Sequence, residues 1–434
     1  MSDKAQAGVT KPHSRGVTLQ QFVDDDDLTP GISIEVTVSE RITFASHQND
    51  VPLIRDLKIT NHTDEILEDL VLEVVSEPNF TVTKSWTVDR LSPESDLHIT
   101  DRDISLNGKL LMELTEAIKS DLVLSLKKND QELAGSRKQI ELLARYEWGG
   151  IDFMPELLAA FVTPNDPTVD QILKGASDAL RRAGKKGTID GYESKSRKRV
   201  WEIASAVWAS ISSMKLDYAL PPASFELTGQ KIRLPAMIKE TGRATCLDTS
   251  LLFAACFEQA GFNPIIAFTQ GHALVGLWLQ PEEFAAVTVD EASTLRKRIV
   301  LKELLVFETT LATQQPSLSL SKAIKQGTEH LSEENETKFF QAIDIRRARM
   351  QRIRPLPAPS ELETPSTDQV ESVTEGVEEA PDLPDFDIDF EPVEADSPQT
   401  RLDKWQRRLL ELLSKVVYGL IMRRRGPGVL RLRI

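Results

Sequence analysis

From Gly31 to Ala144 apolar and polar residues alternate with a period of two, the signature of half-buried strands. Ile32, Ile34, Val36 and Val38 form one such run. Leu53 to Ile59 forms a second, closed by the turn residues Asn61-His62-Thr63-Asp64. Leu70, Leu72 and Val74 repeat the alternation, and shorter runs follow at Thr81 to Val88, Lys109 to Leu114, Asp121 to Leu126 and Gln139 to Ala144. About seven short strands at this spacing predict a β-sandwich of immunoglobulin-like type over residues 31–148. Trp148-Gly149-Gly150 marks its end. From Met154 the period lengthens to that of a helix. Pro155 to Phe161, Val169 to Arg182 and Ser196 to Met214 are predicted helices. In the last, Val200, Ile203, Ala204, Val207, Trp208 and Ile211 make one apolar stripe, which reads as core packing.

Chemistry concentrates between Gly242 and Trp278. Cys246 opens a predicted helix whose apolar positions Leu247, Leu251, Ala254 and Ala255 share a face, with Gly261 at the expected stop. Pro264 begins a β-rich run, Ile265 to Phe268. After a turn at Gln270-Gly271, His272 heads a second apolar strand that ends at Trp278. A thiol at a helix start meets unpaired N–H groups and the positive end of the helix dipole, both of which favour the nucleophilic thiolate. A His on an adjacent strand is placed to take and return its proton. Gln230, sixteen residues ahead of Cys246, carries an amide suited to stabilise an oxyanion beside the sulfur.

This conjunction resembles the transglutaminase-like superfamily of Cys-His-acid proteins, over roughly Tyr218 to Thr310. The resemblance makes Cys246 the nucleophile and His272 the base. The family's third member sits in an Asp-x-Thr phrase on the next strand, where this chain has Phe307-Glu308-Thr309-Thr310. The acid is thus Glu rather than Asp, an inserted segment runs from Glu282 to Lys297, and Ala273 follows His272 where many members have Trp. Antiparallel pairing of a strand Val300 to Phe307 with the His272 strand sets Glu308 beside His272. Asp290, inside the insertion, would lie roughly 20 Å away. The expected triad is therefore Cys246, His272 and Glu308.

A narrower resemblance rests on Pro221-Pro222-Ala-Ser-Phe-Glu, Gly229-Gln230-Lys-Ile-Arg-Leu-Pro, Cys246-Leu-Asp, Gly271-His272-Ala and Phe307-Glu308-Thr-Thr. Together these are similar to the N-terminal region of large bacterial helicase-related proteins of superfamily one. It implies a helicase or ATPase core as partner in the full-length relatives. No Walker loop occurs in this chain, so the resemblance implies a truncated relative. Arg401 to Glu411 resembles the opening of the next domain. Leu402, Trp405, Leu409, Leu412 and Val416 predict a short amphipathic helix within residues 401–434, ahead of a basic tail.

Charge sharpens the organisation. The formal net charge is −15, but residues 361–400 hold fourteen Asp or Glu and no Lys or Arg, so the rest is nearly neutral. Residues 355–400, acidic and Pro-rich, read as a disordered linker, and residues 1–30 as a flexible lead-in. Nothing in the folded parts has the charge of a general nucleic-acid surface. The two cysteines, ten residues apart on one helix and so about 15 Å apart, are unable to bridge. Reduced thiols and the lack of an apolar leader or spanning run predict a cytoplasmic protein with no membrane segment. His47, His62 and His98 have no ligand spacing, and His330 is expected to be exposed on a helix, so neither a metal nor a cofactor is expected. The expected fold is α+β: a sandwich, then a transglutaminase-like domain over residues 154–354. The expected function is cysteine hydrolysis of a protein or peptide, or acyl transfer. The alternative is a non-catalytic recognition module of a helicase-related protein acting in nucleic-acid maintenance or phage defence.

Overall fold

The computed structural model describes residues 31–357 and 376–386; the expectations for residues 1–30 and 401–434 fall outside them. One compact unit ends at Pro384, and of the second, Asp385–Ile434, only the first two residues are described. The fold is mixed α and β with several separate sheets. Among the described residues no helix is long and apolar enough to cross a membrane.

The N-terminal half comprises β1 (Ile32–Val38), β2 (Arg41–Ile42), α1 (Phe44–Gln48), β3 (Ile54–Asn61), β4 (Leu67–Glu77), β5 (Lys84–Leu91), β6 (Ser95–His98), α2 (Gly108–Glu113), β7 (Ile118–Lys128) and β8 (Gln131–Leu142). It holds two sheets, of order β1-β3-β6 and β2-β8-β7-β4-β5, with β1 against β8. The period-two pattern is the buried pattern: Leu70, Leu72 and Val74 of β4 and Leu122, Leu124 and Leu126 of β7 all point inward. The run Lys109 to Leu114 is not a strand but α2. Asn107 caps it by accepting from the Leu110 N–H at 3.2 Å, and a helix of this length buries only Leu111.

The second half begins with β9 (Glu147–Trp148), α3 (Pro167–Arg182), α4 (Arg197–Ser212), β10 (Asp217–Tyr218), α5 (Phe225–Thr228), β11 (Gln230–Lys231), α6 (Pro235–Thr241) and β12 (Arg243–Ala244). It continues with α7 (Cys246–Gln259), β13 (Pro264–Thr269), β14 (His272–Trp278), β15 (Thr288–Val289), α8 (Ala292–Val300), β16 (Leu304–Phe307), α9 (Leu320–His330), β17 (Phe339–Asp344) and α10 (Ile345–Met350). A wholly antiparallel sheet of order β15-β17-β13-β14-β16 is its centre. On one face Leu304 and Val306 join Trp278, Phe284 and Leu295. On the other, Phe307 meets Phe253 and Phe257 of α7 edge-on, at 5.3 and 6.1 Å, and Trp208 of α4 at 5.7 Å. Successive residues of β16 thus bolt the strand to both layers.

Three expectations need correcting here. The strand predicted from Val300 begins only at Leu304, because α8 occupies Ala292–Val300. The sequence from roughly Ser319 to Ile353 reads as helices, and that reading misses β17, which pairs with both β13 and β15. The acidic linker is not free of the fold throughout. The Leu356 N–H donates to the Ala160 carbonyl at 2.7 Å, and Val377 packs against Ala179 and Ala209. The Glu378 carboxylate accepts from the Leu320 and Ser321 N–H groups and the Ser321 hydroxyl, so it caps α9. An acid at a helix start, facing unpaired N–H groups, stabilises it.

Trp148-Gly149-Gly150 is likewise not a boundary. Trp148 pairs with Gln230 across the β9–β11 ladder and stacks on Phe268, ring centres 5.0 Å apart. Gly229 makes the approach possible: its φ is +91°, and a Cβ there would lie 1.9 Å from the Trp148 carbonyl oxygen.

Two outcomes follow from these contacts. Gly229→Ala loses about 2 kcal/mol or more, combining left-handed strain with the clash, as read by urea unfolding. Glu378→Ala removes a cap worth about 1 kcal/mol, so the Leu320 and Ser321 amides exchange hydrogen roughly fivefold faster while β16 amides are unchanged.

Candidate active site

The start of α7 is fixed by its own sequence and by a neighbouring segment. Thr245 is the N-cap: its hydroxyl accepts from the Asp248 N–H at 3.1 Å, and the Asp248 carboxylate accepts from the Thr245 N–H at 2.9 Å, a reciprocal capping box. Asp248 is fully buried. It is satisfied by the Arg233 N–H at 2.9 Å and the Arg233 guanidinium at 3.0 Å. Gln230 donates its Nε2 to the Thr245 hydroxyl at 3.0 Å. Cys246 is the first residue of the helix, so its backbone N–H has no partner within the helix ladder.

The other members arrive on strands. The β13–β14 hairpin turns at Gly271, whose N–H donates to the buried Glu226 carboxylate at 2.9 Å, and His272 follows as the first residue of β14. β16 pairs antiparallel with β14, Phe307 opposite Val275, and the next residue, Glu308, reaches diagonally past the end of the ladder to His272. The expected pairing therefore holds, and β15 with Asp290 beyond it lies at the opposite edge of the sheet.

The His272 Nε2–H donates to Glu308 Oε2. Glu308 Oε1 accepts from the Thr310 N–H at 2.9 Å and the Thr310 hydroxyl at 2.7 Å, which fixes the carboxylate's orientation. With Nε2 engaged, Nδ1 is the ring nitrogen left to exchange a proton, and Cys246 is near enough to help raise the His272 pKa. Buried hydroxyls bind the three segments together. Thr249 bonds to Thr309 at 2.8 Å, and Ser250 bonds to Thr309 and to the Ala273 carbonyl at 3.3 Å each. These residues follow Cys246, Glu308 and His272 in sequence, so each of the three has a near neighbour in one polar cluster.

The electrostatics follow the contacts. Burial would lower the His272 pKa, but the hydrogen bonds to Cys246 and Glu308 and their charges outweigh it and push it up to about 10. Burial would raise Glu308, and the hydrogen bonds from His272 and then His330 instead hold it well below the usual carboxylate range.

Two residues that sequence reasoning did not assign belong to the site. Tyr218 ends β10, which runs parallel to β12 and sets Tyr218 beside Ala244, two residues before Cys246. Its phenol lies close enough to Cys246 to feel the thiol. Burial foremost, then the charge and hydrogen bond of Cys246, raise its pKa. His330, expected to be an exposed helical residue, is half-buried in the site. Its ring stacks on His272 with centres 5.3 Å apart, and its Nε2 lies 3.5 Å from Glu308 Oε2. Gly327, one turn earlier, brings it there: a Cβ at Gly327 would lie 2.5 Å from the Phe307 Cα, so α9 rests directly on the β16 backbone. No local signal marks either residue; only the separation of Gly327 and His330 by three positions hints that they share a face.

Cys246 and Cys256 are both fully buried and unbridged. Cys256 lies deep in α7, where burial pushes its thiol pKa up. No protein-family model matches the chain, and no curated protein matches it.

The His272–Glu308 pair sets a pH dependence. Glu308, lowered from 4.5, contributes stability that is present above 4.5 and lost as the pH falls below it. His272, raised from 6.5, contributes stability that is complete below 6.5 and lost as the pH rises towards about 10. The difference in melting temperature between the native protein and Glu308→Gln is therefore largest between pH 4.5 and 6.5 and shrinks on both sides.

Proposed function

We propose that the chain is a transglutaminase-like cysteine hydrolase, built on a transglutaminase-like domain behind an immunoglobulin-like sandwich. The observation that carries this reading is the His272 ring, bonded through Nε2 to a buried, oriented carboxylate, with Cys246 near enough to help raise its pKa. Cys246 attacks the carbonyl carbon of an amide or ester, and its proton passes to His272 Nδ1. Glu308 holds the ring and stabilises the imidazolium without taking the proton. The Cys246 backbone N–H donates to the oxyanion. Gln230, the expected second donor, is bonded to Thr245, and the Tyr218 phenol beside the sulfur is the better-placed one. His272 then protonates the leaving amine or alcohol, and water resolves the thioester. Hydrolysis is preferred to acyl transfer because no feature identifies a site for an acceptor amine.

One observation favours a second reading, a non-catalytic recognition module of a helicase-related protein: Cys246 is fully buried. Alkylation separates the two. Iodoacetamide followed by peptide mapping labels Cys246 in the native protein and spares Cys256, and His272→Ala slows the labelling. Turnover of a peptide-amide library is expected, with His272→Ala lowering it by about 10²- to 10⁴-fold. Labelling of Cys246 no faster than of Cys256, with no turnover, would overturn the hydrolase reading in favour of the module.

A further inference from the structure

His330 has no task in a Cys-His-Glu relay, yet it stands against two of that relay's members. The ligand-capable atoms of His272, Glu308 and His330 all lie within 4.8 Å of one another. The 3.5 Å between His330 Nε2 and Glu308 Oε2 is close to the about 3.3 Å that separates two ligands of a tetrahedral ion with bonds of about 2.0 Å. Two imidazoles and one carboxylate are a zinc-type ligand set, leaving a fourth position for water. Glu308 is already oriented through Oε1 by Thr310, the kind of outer contact that metal-binding carboxylates have. The His330 side chain is 42% exposed and that of Glu308 is 5% exposed, so the trio has an entry from the His330 side. Cys246 lies outside the trio.

We propose that His272, Glu308 and His330 form a site for a zinc-class divalent cation, and that its occupancy silences Cys246. The ion takes the place of the proton between His272 Nε2 and Glu308 Oε2, which passes to solvent. The ring then carries at most one proton, at Nδ1. The imidazolium form, from which a leaving group is protonated, is lost. The silencing rests on the cysteine reading above; the binding does not.

The test is calorimetric titration of the full chain with zinc chloride, beside thermal melts with and without zinc. One ion binds per chain and raises the melting temperature. His330→Ala and His330→Gln each weaken binding at least about tenfold while melting normally without zinc, and Cys246→Ser changes the affinity less than twofold. Zinc slows iodoacetamide labelling of Cys246 in the native protein but not in His330→Gln. Absence of binding, equal binding by both His330 variants, or loss of binding in Cys246→Ser would overturn the site. Binding that leaves a measurable labelling rate unchanged would overturn the silencing alone. Failure of the hydrolase reading is seen separately, as a native protein that binds zinc and neither labels nor turns over substrate.

Discussion

Asp248 has no contact with solvent, and a carboxylate in that position is tolerable only when fully paired. Its partners are the Thr245 N–H, the Arg233 N–H and the Arg233 guanidinium. Two come from a short segment ahead of α6, and one from the residue before Cys246. The helix that presents Cys246 therefore starts where it does only with the 230–233 segment in place. That segment is held in turn by the pairing of Gln230 with Trp148. One buried charge thus couples the position of the sulfur to the end of the N-terminal half.

The parts of the site that were legible in sequence are those specified locally. A capping residue before Cys246, a Gly turn before His272 and a polar residue closing the β16 run each announce an element boundary, and Cys246, His272 and Glu308 sit on those boundaries. Pairing rules then chose Glu308 over Asp290, since a strand that returns antiparallel must end where its partner began. Tyr218 and His330 were not legible because their placement is non-local. Tyr218 depends on a two-residue parallel bridge, and His330 on the absence of a side chain at Gly327. In the fold, α2 was misread because a short apolar run carries too little period to separate strand from helix, and α8 went unread inside the segment taken as an insertion. β17 was missed because helices flank it, and its pairing partners lie far away in the chain.

Composition misled once more in the acidic tract. A run of acids with few apolar residues reads as unable to bury itself, which is the rule for such a composition. It fails for Val377 and Glu378, because a single apolar contact and a single capping carboxylate suffice to hold a short segment where a helix start offers unpaired N–H groups. The same tract that dominates the net charge also finishes the helix that carries His330.

The approach of Gly229 to Trp148 has a bearing on how the protein is divided. A main-chain ladder that admits no side chain at its closest point makes Trp148 part of the layer beneath the hairpin, since its ring stacks on Phe268 of β13. The seam between the two kinds of architecture therefore does not coincide with a seam in the packing. A fragment begun at Met154 would expose one face of Phe268 and leave β11 without its partner strand. In this molecule the strand that follows the N-terminal sheets is built into the layer of the hairpin, and the natural unit for study is the span from Gly31 onward.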